Sequence, residues 1–175
     1  MVKQENNIDF ILNDYKIVLG KDFNTYKNHI YRIYNYMILL DQIEDNHEKY
    51  AIAAVFHDLG IWTHSFNYLK PSIQLAKKHL LAINRENWLE EISLMIDYHH
   101  KMSTYKGKYS ITVETFRKAD WIDVSMGFKM MTLNKNHFKS IKTQFPLNGF
   151  HWFLVKQSFK YFLKHPLKPL PMFKK

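Results

Sequence analysis

Apolar residues recur every three or four positions along almost the whole chain, and no stretch alternates long enough to predict a strand. The period predicts a first helix from about Ile8 to Leu19, stopped by Gly20. A second starts near Asp22 or Asn24 and reaches about Ile43, with Tyr26, Ile30, Ile33, Met37 and Leu40 as its apolar stripe. A third begins after Asn46 and ends at Gly60, a residue suited to the left-handed C′ position. Pro71 fits the first turn of a fourth helix reaching about Asn84.

A fifth helix carries Trp88, Leu89, Ile92, Met95 and Ile96, and "KMSTYKGKYS" follows as a loop. A sixth runs from Val113 to about Met126 and is closed by Gly127. The span 134–149 suggests a short helix broken by Pro146, and a last helix covers Phe150 to Lys164 before Pro166. The expected fold class is therefore all-α: one helical bundle of six or seven helices over 1–165, with a basic, proline-containing tail at 166–175.

Composition narrows this reading. The chain has 175 residues and no cysteine, which excludes disulfides, thiolate metal sites and a cysteine nucleophile. No signal-like N-terminus and no run of about 18 apolar residues occurs, so a cytoplasmic protein without a membrane partner is expected. Twenty-five lysines and arginines against 16 acids give a formal charge of +9, which favours anionic ligands.

The candidate chemistry starts in "AIAAVFHDLGIW". The run Ile52 to Phe56 is apolar on every face, as in a central buried helix, yet it leads into His57 and Asp58. A buried carboxylate needs a partner, a hydrogen bond or a metal. His29 falls at the edge of the second helix's stripe. His99 and His100 continue the core face of the fifth helix from Met95 and Ile96, and Asp120 follows Phe116 by four. Four helices thus aim imidazole or carboxylate groups inward. Nitrogen and oxygen ligands without sulfur suit Mn, Fe, Co, Ni or Zn.

The order His29, His57-Asp58, Asp120 resembles the HD-domain superfamily of metal-dependent phosphohydrolases. The resemblance is carried by "NHIYRIYNYMILL", "AVFHDLGIW", "MIDYHHK" and "FRKADWID", and covers roughly residues 25 to 127. It implies that His29, His57, Asp58 and Asp120 hold one divalent ion (Mn, Fe, Co, Ni, Zn or Mg). Relatives with two metals use an extra histidine at the start of the next helix. Pro71 or Ser72 stands there, which favours a single ion.

The implied reaction cleaves a phosphate ester or anhydride of a small phosphorylated compound, nucleotides first, by metal-activated water. Asp58 would serve both metal and catalysis, and His99 or His100 would donate a proton or hold a phosphate. Arg32, one turn past His29, and Arg117 and Lys118, beside Asp120, are candidate phosphate contacts, and Asp123 a candidate for orienting a ligand. Nucleic acid is not the expected partner. The alternatives are a non-catalytic, metal-containing binding module and a di-iron oxygenase on the same scaffold.

Overall fold

The computed structural model describes residues 2–65 and 67–164. It is all-helical, with no strand among the described residues. Its longer helices are α1 (Val2–Asn13), α3 (Phe23–Leu40), α4 (His47–Phe56), α6 (Leu69–Ala82), α7 (Leu89–Tyr98), α8 (Ser110–Val124), α9 (Lys135–Gln144) and α10 (Phe150–Lys164). Two single-turn segments, α2 (Lys16–Leu19) and α5 (Gly60–Thr63), complete the set. The tail at 166–175 lies outside the described residues. No described helix is long and apolar enough to cross a membrane.

Helix α4 is the centre of the bundle. It packs against α1, α3, α6 and α7, and every residue from Tyr50 to Gly60 is buried. That burial explains its lack of a polar face. Helix α3 lies against α4, α8 and α9, and is buried almost all round from His29 to Met37. Its tyrosines and Arg32 make this face look more solvent-tolerant in the sequence than it is.

The expected first helix is two: α1 ends at Asn13, and the chain turns through Asp14 and Tyr15 into α2. Asp41 closes the corner between α3 and α4 by accepting from Tyr50 Oη (2.5 Å), Asn46 Nδ2 (2.9 Å) and the Ile43 amide (3.2 Å). The end of α8 follows expectation. Gly127 takes φ +85° and its amide donates to Ile122 O at 2.9 Å, a glycine-closed helix end.

Gly60 departs from expectation. It is not left-handed; it opens α5, after a turn through His57, Asp58 and Leu59. Its glycine identity comes from a close approach instead. A Cβ there would lie 2.5 Å from Tyr68 O and 2.9 Å from Ser72 Oγ, which accepts the Gly60 amide at 3.0 Å. Gly60→Ala is expected to destabilise the protein by about 1–3 kcal/mol through overpacking against backbone. A denaturant titration checks this, and an unchanged midpoint would refute it.

Candidate metal centre

The turn after α4 delivers His57 and Asp58 into the space between α3, α7 and α8, where the expected histidines and Asp120 meet them. Tyr26 of α3 fastens this turn: its hydroxyl donates to Val55 O (2.8 Å) and accepts the Asp58 amide (3.3 Å). His29, His57 and His99 are fully buried, and Asp58 and Asp120 nearly so.

Three imidazoles are set the same way. His57 Nδ1 donates to Ala54 O (2.8 Å) and His99 Nδ1 to Ile96 O (2.6 Å), each a carbonyl one turn back. His29 Nδ1 donates to Asp123 Oδ2 at 2.7 Å. Each ring therefore turns Nε2 inward, with its tautomer set by an outer partner, as metal-bound histidines are set. His29 Nε2 and His57 Nε2 stand 3.0 Å apart. Two ligands at about 2.1 Å from one ion, at a right angle, have about this separation.

The carboxylates complete the cage. Asp58 Oδ2 lies 3.4 Å from His57 Nε2 and 3.9 Å from His29 Nε2. Asp120 Oδ1 lies 3.9 Å from both. Asp58 Oδ1, Asp120 Oδ1 and His99 Nε2 are buried with no hydrogen-bond partner. Unpaired buried polar atoms cost about 1–3 kcal/mol each. Asp58 Oδ1 and His99 Nε2 stand 3.5 Å from each other, and Asp120 Oδ1 faces the His29 and His57 rings, so the cluster has unused ligand capacity. The residues fit a divalent ion.

Two groups have ligand atoms close enough to hold one: His29, His57 and Asp58, and a second of Asp58, His99 and His100. Both use Asp58. The extra histidine looked for near Pro71 is not needed for the second group, and Ser72 is occupied with the Gly60 amide.

Charge reinforces the reading. Burial, with the Asp58 and Asp123 carboxylates adding to it, pushes Asp120 up to about 8 against the pull of His99. Burial would also raise Asp58, but the His57 and His99 imidazoles outweigh it and hold its carboxyl well below the usual range. Burial lowers His29 to about 4 despite Asp123, so the ring is neutral at pH 7, the form that can bind a metal. Burial first, and the neighbouring carboxylates after it, keep Asp120 protonated, and a divalent cation beside it would offset both.

The three basic candidates fall elsewhere. Arg32 is fully buried and pairs bidentately with Asp123 (Nε to Oδ1 2.6 Å, Nη2 to Oδ2 2.9 Å). Its Nη1 donates to the carbonyls of Phe145 and Pro146, both at 3.1 Å. It organises the centre from behind and does not face a phosphate. Arg117 is likewise taken up by Glu114 (2.8 and 2.6 Å) and Lys101 O (3.1 Å). Lys118 is more than a third exposed and lies 4.0 Å from Glu114. None of the three reaches the cage.

Three contributors are absent from the sequence reading. Tyr68, buried just before α6, shares a 2.6 Å hydrogen bond with His100 Nε2. Phe150, at the start of α10, stacks on His29 with ring centroids 3.9 Å apart. His151 Nε2 donates to Asp123 O at 2.9 Å. All three come from positions with no periodic or motif signal that points to this centre. His79, by contrast, packs beside Phe56 (5.4 Å), away from the cage, as a packed residue would.

Searches against protein-family models, curated proteins and solved structures found no match to this chain. The structure itself shows an all-α bundle whose buried histidine and aspartate cluster could hold a metal ion.

Proposed function

We propose that the chain is a metal-dependent phosphohydrolase of the HD-domain type, acting on a small phosphorylated compound, with nucleotides the first candidates. The observation that carries the metal part is the pair of inward Nε2 atoms 3.0 Å apart, facing buried carboxylate oxygens that lack partners. With each Nδ1 hydrogen already given to an outer acceptor, two such nitrogens repel unless a proton or a metal ion lies between them. His29, His57, Asp58 and Asp120 would hold the ion. A bound divalent ion supplies water activation near neutral pH and polarises a phosphoryl oxygen.

The chain's own residues then divide the work. Asp123 and Arg32 fix the His29 ring, and Ala54 O fixes that of His57. His100 lies at the edge of the cage, its side chain 14% exposed, with Nδ1 3.6 Å from Asp120 Oδ2 and Nε2 on the Tyr68 hydroxyl. Burial, helped by the Asp58 and Asp120 charges, holds that hydroxyl well above its ordinary range, so it stays protonated. The Tyr68–His100 pair is the best placed to pass a proton to a leaving oxygen.

One observation favours a second reading. Asp58, His99 and His100 form their own ligand group, so these residues would also accommodate a second ion, and with it an iron-dependent oxygenase.

The test is a phosphate-release screen over nucleoside mono-, di- and triphosphates and simple esters, with Mn, Co, Ni, Mg and Zn, alongside metal counts per chain. Phosphate release that needs a metal and disappears in His57→Ala is expected. A metal-loaded protein that releases no phosphate across the panel would overturn the reading, and oxygen uptake with two irons per chain would replace it.

A further inference from the structure

Acidic residues end at Asp123. Residues 124–175 contain ten lysines and no aspartate or glutamate, whereas residues 1–123 hold 15 basic against 16 acidic residues. The chain's whole positive excess therefore belongs to its last 52 residues.

Helix α10 lies within this segment and is anchored to the core by its N-terminal part, where Leu154 also packs. Phe150 stacks on His29, and Phe153 stacks flat on Trp62 (4.8 Å, 2°). Its outer face carries Trp152, Val155, Phe159, Phe162 and Leu163, of which Trp152 is 73%, Phe159 61% and Leu163 65% exposed. At 100° per residue these form one apolar stripe, and Lys156, Lys160 and Lys164 fall together along one edge of it. Lys21, Lys156, Lys160 and Trp152 also line a cleft of about 400 Å³ at that edge. None of these lysines pairs with a carboxylate among the described residues.

We infer that α10 docks in the interface of an anionic, phosphate-bearing membrane surface. Aromatic and aliphatic side chains beside a lysine row match a helix lying in the plane of a bilayer, its apolar face among the acyl chains and its cations at the headgroups. The absence of a spanning helix bears on crossing a membrane and not on lying against one. Charge excludes the other obvious occupant. A second copy would bring its own acid-free lysine row against this one. Nucleic acid would satisfy the lysines but leave Val155, Phe159, Phe162 and Leu163 without an apolar partner. This inference is independent of the chemistry at the metal centre.

The test is co-sedimentation of the full chain with vesicles of phosphatidylcholine alone, or mixed with phosphatidylglycerol. Binding to the mixed vesicles and none to the neutral ones is expected. Phe159→Ser with Leu163→Ser, at unchanged charge, should weaken binding about a hundredfold. Lys156→Gln with Lys160→Gln should weaken it about twentyfold. All four side chains are exposed, so circular dichroism and metal content should match the parent protein. The inference is overturned if the chain ignores mixed vesicles, or if the serine variant binds them as the parent does. Equal capture of a single-stranded DNA oligonucleotide by parent and serine variant, without vesicle binding, would assign the surface to nucleic acid.

Discussion

Asp58→Ala is expected to lose its metal ion and at least about three orders of magnitude of hydrolytic rate, while keeping its helices. The size follows from position. Asp58 is the one residue common to both ligand groups, so its loss takes a ligand from each. Retention of fold follows from α4, whose residues from Tyr50 to Phe56 bury apolar surface that the substitution leaves untouched.

Two measurements separate this from general damage. Metal counts should fall from the parent value to background. A chelator should lower the melting temperature of the parent, by linkage to the bound ion, and leave that of the variant unmoved. A variant that retains phosphate release, or binds metal as the parent does, would remove Asp58 from the centre.

Much of this centre was legible because helices convert spacing into direction. His29, His99 and Asp120 each sit three or four positions from apolar residues that face the core, and the structure brings all three to His57 and Asp58. What spacing does not encode is how the chain turns between helices. The helix that leads to His57 ends at Phe56, and glycine at 60 is required by the neighbouring Tyr68 carbonyl, 68 being a position with no periodic link to it.

Arg32 illustrates a different limit. One turn from a ligand, an arginine suits either a phosphate or a buried partner, and only the packing of α8 against α3 brings Asp123 within 2.6 Å. The cover supplied by Phe150 and His151 is likewise a tertiary event. The charge asymmetry was legible but hidden. The lysines are spread throughout the chain, and it is the acids that are segregated, ending at the same Asp123 that holds His29.

Asp123 joins the packing of the core to the candidate metal centre, and its substitution by asparagine should reveal both roles. The carboxylate takes two guanidinium hydrogens from Arg32 and the Nδ1 hydrogen of His29. Burial opposes its charge, but the His29 and Arg32 hydrogen bonds outweigh it and hold it well below the usual carboxylate range. An asparagine of the same shape has one acceptor oxygen where two are used, and its amide hydrogens must face a donor. Arg32, fully buried, is left with an unpaired charge. The expected loss of stability is about 3–5 kcal/mol, the cost of breaking a buried pair from one side. Metal affinity should drop a further 10- to 100-fold, roughly the effect of removing a histidine's outer partner. Replacing both members, Arg32→Met with Asp123→Leu, distinguishes the two roles. That double variant removes the stranded charge and should recover most of the stability in a denaturant titration, yet His29 still lacks its acceptor and metal affinity should stay low. Recovery of full metal affinity in the double variant would mean that Asp123 only balances Arg32, and that the His29 ring is held by α3 and Phe150 alone.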